Sequence, residues 1–283
     1  YWYKVSNYPY VVDFNYENGT LYAGMAYGII YSRNMRNWSI LHTTGSPVES
    51  ISVSGNYIYA MLSDHELIRS TDSGKNWQNM HNFSSISYDT WSVSADPFDP
   101  EIVYVSLGVY PGISKNTWIS TDGGLDFNPA PDLCYTKMVL FDPENQSRVW
   151  AYGPGYFAYS TDGGIIFTVG PQQTDNMVLA LDQLNDDILI MGTDQGVYET
   201  KDAGMDWISL NENLSNTLVY GMSTSNGVIA ADMQDYSQFI SLNNALTWIG
   251  GNVPSIPLAG EATVVYVNPQ NSSWIYYLQN GGK

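Results

Sequence analysis

The octapeptide STDSGKNW at residues 70–77 decides the fold of this chain, because the chain repeats it. It returns as STDGGLDF at 120–127, STDGGIIF at 160–167 and TKDAGMDW at 200–207. Two relaxed copies are SRNMRNW at 32–38 and SLNNALTW at 241–248. The six copies begin at residues 32, 70, 120, 160, 200 and 241, a period typical of solenoids and propellers.

The residues upstream of each copy follow one pattern. An apolar segment such as SVSADP or MVLFDP is followed by a turn, and a second segment such as IVYVSLG or RVWAYG comes next. A Gly-rich link then leads to a third segment that ends in the octapeptide, whose last aromatic residue opens a fourth. Short strands in groups of four with regular turn signals predict propeller blades, and no sustained helical periodicity is present.

The motif Ser/Thr-x-Asp-x-Gly-x-x-Trp/Phe resembles the Asp box of sialidase-like and related β-propellers. We expect its aspartates to accept backbone N–H groups inside a tight turn, and its glycines to adopt backbone shapes that a side chain would strain. We expect its aromatic side chains to fill the gap between neighbouring blades. The predicted scaffold residues are Asp72, Gly74, Trp77, Asp122, Gly124, Phe127, Asp162, Gly164, Phe167, Asp202, Gly204 and Trp207, with Trp248 in the last copy.

The number of copies predicts the number of blades. Six copies give six blades of four antiparallel strands, at about 10–41, 48–80, 91–128, 137–168, 177–208 and 218–249. Residues 262–283 supply two further strands, and residues 1–6 contain WYKV, which resembles the strand that follows a box aromatic. We therefore predict a single all-β domain over residues 1–283, a seven-bladed propeller whose closing blade joins both termini and leaves no free sheet edge.

Charge and composition exclude several classes of function. Of the 283 residues, 10 are Lys or Arg and 28 are Asp or Glu, which gives a net charge of -18. Nucleic acids and anionic membranes need clustered cations, so neither is an expected partner, whereas cationic groups, metal ions and neutral glycans are. A single cysteine excludes an internal disulfide and a Cys-based zinc site, and no apolar run is long enough to span a bilayer.

The composition also favours export. Charged residues are only 13% of the chain, tyrosine is abundant, and six Asn-x-Ser/Thr sequons are present. The chain begins at Tyr1 without an initiating Met, so we expect a processed or excerpted chain. These features predict an extracellular, cell-surface or virion-surface protein that belongs to a larger surface assembly. The glycosylation candidates are Asn18, Asn37, Asn82, Asn145, Asn213 and Asn271.

One aligned position is rich in acidic residues. Loops carry function in propellers, and the residues that precede strand one of each blade point to the same mouth of the central channel. Carboxylates gathered there raise one another's pKa or bind a cation such as Ca²⁺, while the alternative is that they cap ordinary turns. The column consists of Tyr8, Glu49, Asp89, Thr136, Asp175, Asn216 and Glu261, of which Glu49, Asp89, Asp175 and Glu261 are the candidate metal ligands.

Two long loops supply further candidates. Residues 108–118 in the third blade and 231–239 in the sixth lie on the same side as that column and combine tyrosine with amide or acidic neighbours. Such mixtures serve stacking and hydrogen bonding to glycans or peptides. The candidate ligand-binding residues are Tyr110, Trp118, Asp232, Asp235 and Tyr236, for which ordinary loop packing is the alternative.

The resemblance implies two enzyme classes, and the residues bear on both. A sialidase holds its substrate carboxylate with three arginines, but this chain has only four, and Arg33, Arg36, Arg69 and Arg148 do not form such a set. A xyloglucanase-like glycoside hydrolase needs two carboxylates, for which Asp89, Glu261, Glu49 and Asp175 are the candidates. We expect instead a recognition or adhesion propeller that binds glycan or protein without catalysis and without a cofactor, apart from the Ca²⁺ considered above.

Overall fold

The chain is built from β-strands. The computed structural model describes residues 11–84, 90–108, 116–130, 132–170, 178–185, 188–202, 204–212, 214, 218–233, 237–251 and 265–277, and these contain strands and turns but no helix. Accordingly, no described segment forms a helix that could cross a membrane. The prediction of an all-β chain is confirmed.

The strands follow one another at the spacing that the repeat predicts. Strands one to three of each blade are mostly four to eight residues long, and strand four is shorter in the later blades. In chain order they are β1 Val11–Glu17, β2 Thr20–Met25, β3 Gly28–Ser32, β4 Ser39–Thr43, β5 Val48–Ser54, β6 Tyr57–Leu62, β7 Glu66–Ser70, β8 Gln78–Asn82, β9 Thr90–Ala95, β10 Val103–Leu107, β11 Thr117–Ser120, β12 Asn128–Pro129, β13 Met138–Phe141, β14 Val149–Gly153, β15 Tyr156–Ser160, β16 Thr168–Val169, β17 Val178–Asn185, β18 Ile188–Thr193, β19 Gly196–Thr200, β20 Ile208–Ser209, β21 Val219–Ser225, β22 Val228–Met233, β23 Ser237–Ser241, β24 Ile249–Gly251, β25 Val265–Val267 and β26 Ile275–Tyr277.

Hydrogen bonding groups these strands into six blades. Each blade is a four-stranded sheet in chain order, from β1–β4 as blade 1 to β21–β24 as blade 6, and among the described strands β25 pairs only with β26. The prediction of four-stranded antiparallel blades is confirmed, whereas the prediction of seven blades is wrong. Strand-like residues make a blade only when one ladder joins four strands, and the described ladder after blade 6 holds two. The WYKV segment lies outside the described residues.

The chain divides into two compact units, which are treated separately below. One consists of the described residues within 3–151 and 160–167, and the other of those within 152–159 and 168–283. The single domain over residues 1–283 stays a prediction.

Strand two is deeply buried and strand four is exposed. All five residues of β10 and all six of β22 are buried, while strand four is exposed at most positions, as in β4 and β8. In the first unit, Tyr59, Leu67 and Phe83 of blade 2 pack with Val103 and Val105 of blade 3. Apolar surface is therefore buried between neighbouring sheets.

The antiparallel order gives every blade two distinct ends. The loop end carries the start of strand one, the loop from strand two to strand three and the connection that follows strand four. The box end carries the turn from strand one to strand two and the turn from strand three to strand four, called here the box turn.

Candidate functional site

The octapeptides form the box turns, and their side chains are engaged within those turns. Ser70 Oγ accepts the Gly74 N–H at 2.8 Å and donates to Asp72 Oδ1 at 2.9 Å. Asp72 Oδ1 also accepts the Asn76 N–H at 2.8 Å. These bonds hold the pKa of Asp72 at about 2, mainly through the Asn76 backbone and side chain. A carboxylate with these partners has a structural task already.

The same hydrogen bonds recur in the other blades. The hydroxyl-to-carboxylate contact measures 2.7 Å at Ser120–Asp122, 2.7 Å at Ser160–Asp162 and 2.6 Å at Thr200–Asp202. In blade 6 the amide of Asn243 replaces the carboxylate and accepts the Thr247 N–H at 3.0 Å. In blade 1 the corresponding residue is Asn34, whose Oδ1 accepts the Asn37 N–H at 2.8 Å.

In blades 2 to 6, the last aromatic residue of the octapeptide contacts the preceding blade. Trp77 of blade 2 stacks on His42 of blade 1 with ring centroids 4.7 Å apart. Phe127 of blade 3 meets Phe83 of blade 2 at 5.1 Å. In the second unit, Trp207 lies 5.4 Å from Phe157. These rings fill the space between neighbouring sheets, so the box ends serve packing.

The loop ends differ, because strand one begins there with a β-bulge. In five blades one extra residue interrupts the ladder between strand one and strand two directly after the first residue of strand one. A bulge re-aims the extra residue and is common beside functional sites. Each bulged residue follows a Val or Thr and precedes an Asp, Ser, Ala or Gly. The bulged residues are Val12, Glu49, Trp91, Leu179 and Tyr220.

Two members of the predicted acidic column lie within the described residues, and they occupy different registers. Glu49 is the half-buried bulged residue of β5. Thr136 lies two residues before β13, is fully buried and donates its N–H to Asn116 Oδ1 at 3.0 Å. The described residues contain no group of three or more metal-ligating side chains, so the Ca²⁺ site stays a prediction. Outside the described residues lie Tyr8, Asp89, Asp175, Asn216 and Glu261.

Of the loop candidates, Trp118 and Asp232 are described. Trp118 is half-buried against the apolar contact between blades 2 and 3. Asp232, next to the end of β22, is only 2% exposed, and its Oδ1 has no hydrogen-bond partner in the described part of the chain. Burial raises the pKa of Asp232 to about 7, against the hydrogen bonds of Gln238 and the Met233 backbone. Tyr110, Asp235 and Tyr236 lie outside the described residues.

Exposed tyrosines mark the loop ends. Tyr27 in the β2–β3 loop is 67% exposed, Tyr135 before β13 is 42% exposed, and the bulged Tyr220 is 44% exposed. Large exposed apolar side chains at the box ends are aliphatic apart from Phe98, which is 44% exposed. Sequence reasoning missed these tyrosines because exposure and bulge position are tertiary properties.

The described charged side chains are also distributed unevenly between the loop ends and the box ends. Among the described residues, the loop ends carry one cation, Lys137, and burial lowers the pKa of that ammonium group. The other described cations lie at box ends, namely Arg33, Arg36, Arg69, Lys75, Arg148 and Lys201. The described carboxylates at loop ends are Glu49, Asp64, Glu66, Asp132, Asp194, Glu212 and Asp232.

Five sequons lie within the described residues. Asn18, Asn145 and Asn271 are in turns from strand one to strand two, at box ends, and Asn37 is in the first box turn. Asn82 ends β8, and its Oδ1 accepts the Ser84 N–H at 2.9 Å. Glycosylation at these positions stays a prediction, and Asn213 lies outside the described residues.

Comparison with solved structures identifies the architecture. No protein-family model and no curated protein matches the sequence. The GH74 enzyme of Niastella koreensis is similar over 99% of this chain and 52% of its own, with a TM-score of 0.74 at 17% identity. The GH74 xyloglucanase of Xanthomonas campestris is similar over 99% of this chain and 52% of its own, with a TM-score of 0.71 at 10% identity. YCF48 of Cyanidioschyzon merolae is similar over 91% of this chain and 88% of its own, with a TM-score of 0.63 at 14% identity.

These likenesses show a β-propeller fold. The chain spans about half the length of the two GH74 proteins. At such low identity the likeness concerns the fold, and function has to be argued from the residues at the loop ends.

Proposed function

We propose that this chain is an exported carbohydrate-binding propeller that holds glycan at the loop ends of its blades without catalysing a reaction. The observation that carries the proposal is the placement of Tyr27, Tyr135 and Tyr220, which are all exposed and all at loop ends. A tyrosine ring offers an apolar face to a sugar ring and a hydroxyl to its polar rim.

The charges of the loop ends narrow the class of glycan. The described loop ends of one unit carry four carboxylates and one lysine, and those of the other carry three carboxylates and no lysine, so each unit repels uronic, sialylated and sulfated glycans. Carboxylates also accept hydrogen bonds from sugar hydroxyls. Uncharged glycans therefore fit the loop ends of either unit best.

A panel of uncharged and acidic oligosaccharides tests the proposal by calorimetry. Tyr27→Ala and Tyr220→Ala should each weaken binding of the best uncharged ligand by about five- to tenfold, because each removes a stacking surface worth about 1 kcal/mol. Phe98→Ala is the matched control, since Phe98 has the same exposed fraction as Tyr220 but lies at a box end. Folded protein that binds no glycan, or binding that neither tyrosine variant weakens, contradicts the proposal.

A second candidate function is glycoside hydrolysis of the xyloglucanase type. One observation favours it: burial raises the pKa of Asp232 to about 7, as in a general acid that must carry a proton at working pH. The structural similarity to the GH74 xyloglucanase of Xanthomonas campestris supports a xyloglucan-type substrate, although this chain spans about half the length of that enzyme.

Release of reducing sugar from xyloglucan distinguishes the two functions. If the chain is a hydrolase, Asp232→Asn should lower the rate by about 10²- to 10⁴-fold, as expected for loss of a general acid. Asp99→Asn at a box end should leave the rate unchanged. Glycan binding without any release of sugar by folded wild-type protein excludes this second candidate.

A further inference from the structure

Neighbouring blades are joined by side chains of strand one. In each case an oxygen of strand one in one blade accepts a backbone N–H of strand one in the next blade or, after blade 6, of β25, a contact called here an interblade latch. Most of these oxygens belong to serine and carry no charge. The serine latches are Ser50 Oγ to Val93 N at 3.2 Å, Ser52 Oγ to Ala95 N at 2.9 Å and Ser223 Oγ to Val267 N at 3.1 Å.

Two latches use a carboxylate instead. In blade 1, Asp13 occupies the register position of Ser50, two residues after the first residue of strand one. Asp13 Oδ2 accepts the Ile51 N–H and the Ser50 hydroxyl, both at 2.9 Å, and Oδ1 accepts the Phe14 N–H at 2.8 Å. Both oxygens are therefore engaged at the contact between blades 1 and 2.

The second carboxylate latch joins blades 5 and 6. Asp182 occupies the register position of Ser52 and Ser223. Its Oδ2 accepts the Thr224 N–H at 2.6 Å, and its Oδ1 accepts the Gln183 N–H at 2.8 Å. The two latches lie in different units of the chain, and each is complete within its own unit.

No cation on the surrounding strands compensates either carboxylate. Against Asp13 pack β2 and β5, and against Asp182 pack β18 and β21. Burial raises the pKa of both carboxyls to about 6, and their hydrogen bonds lower it only in part. The other titratable side chains on these strands and on β1 and β17 are Tyr16, Glu17, Tyr22, Glu49 and Tyr220, none of which carries a positive charge.

We propose that these two latches make the contacts between blades 1 and 2 and between blades 5 and 6 sensitive to protons, so that the protein is more stable in acid than at neutral pH. The folded chain takes up protons at Asp13 and Asp182 before the unfolded chain does. The stabilisation by proton uptake is fully present below the ordinary pKa of 3.8 and is lost as the pH rises through about 6.

The effect has a definite size for each carboxylate. With pKa values of 3.8 unfolded and about 6 folded, the unfolding equilibrium constant should rise about 30-fold between about pH 4.5 and pH 7.5. Serine latches contribute nothing to this change, because they do not titrate in that range.

Replacing the carboxylates with the residue that the chain uses elsewhere tests the inference. Urea titrations at about pH 4.5 and pH 7.5 give the ratio of unfolding constants for wild type, Asp13→Ser and Asp182→Ser. We expect each variant to lower that ratio by about 30-fold. The control Asp64→Ser, which removes an exposed loop-end carboxylate, should leave the ratio close to that of wild type.

If the serine variants do not fold, a variant with the opposite substitution tests whether a carboxylate latch is sensitive to pH. Ser223→Asp places a carboxylate in a neutral latch, and it should destabilise the protein more at about pH 7.5 than at about pH 4.5 by a similar factor. Unchanged ratios in folded Asp13→Ser and Asp182→Ser overturn the proposal. Equal destabilisation of Ser223→Asp at both pH values overturns it as well.

Discussion

Gly74 illustrates how a single residue sets the close approach of two blades. Its φ of +87° lies in the left-handed region, and an added Cβ would lie 2.7 Å from side-chain carbons of Leu41 in the preceding blade. The residue is therefore required twice, once for its backbone angle and once for the space that a side chain would need.

Gly74→Ala should separate these two requirements. Backbone strain alone costs about 1–2 kcal/mol of the free energy of unfolding, and the collision with Leu41 should add about 1–3 kcal/mol. Gly55→Ala is the control, because Gly55 has a φ of +58° but nothing within 4 Å of an added Cβ. Urea unfolding measures both variants, and equal losses of stability would show that the contact with Leu41 is not restrictive.

At the scale of the element, the box turn is shaped by a hydroxyl and a carboxylate whose bonds are local. These bonds join residues no more than four positions apart, such as Ser70 to Gly74 and Asp72 to Asn76, while a further N–H of the turn bonds the turn between strands one and two, as Ser73 does to the Asn56 carbonyl at 2.9 Å. This local bonding explains why the octapeptide can be recognised in the sequence. It also explains why blade 6 retains the turn with Asn243 in place of the carboxylate.

The box turn should weaken in strong acid. Hydrogen bonds hold the pKa of Asp72 at about 2, so its contribution is present above the ordinary value of 3.8 and is lost as the pH falls through about 2. Asp72→Asn, which copies Asn243, should remove this part of the acid dependence and stay folded. Urea titrations between about pH 4 and pH 2 measure it, and a parallel fall of wild type and variant would contradict the prediction.

At the scale of the whole molecule, two groups of carboxylates oppose each other in their response to pH. Asp13 and Asp182 favour the folded chain as the pH falls towards about 4, while Asp72 favours it as the pH rises from about 2, and hydrogen bonds lower the pKa of Asp122, Asp162 and Asp202 in the same direction. We therefore expect the free energy of unfolding to be largest in moderate acid. No cation lies on the described strands packed against Asp13 and Asp182, and the described cations lie mostly at box ends.

The blade count shows where sequence reasoning failed. Six copies of the motif predicted six blades, and the structure contains them. The prediction of a seventh blade rested on strand-like sequence at the two termini, which contain no copy of the octapeptide. Apolar alternation marks a strand, but its partner in the ladder is chosen by tertiary contacts, and the described pair β25–β26 has two strands.

The candidate site was predicted in outline and missed in detail. Trp118 and Asp232 were assigned to loops but lie in strands β11 and β22, and the burial of Asp232 could not be read from ADMQDYSQF. Tyr220 was missed because a bulge shifts the register by one residue without changing the repeat length. Tyr135 was missed because neither its φ of 56° nor its exposed ring has a signal in the sequence.

The sequence by itself determined the strand order, the four-stranded blade and the box turn, because each depends on alternation or on bonds across at most a few residues. Tertiary structure alone decided the blade count, the bulged loop ends and the charged latches. The latches join residues 38 positions apart at Asp13–Ile51 and 42 apart at Asp182–Thr224. Whether a carboxylate is buried depends on which residues of the neighbouring blade cover it, and no local sequence pattern predicts that contact.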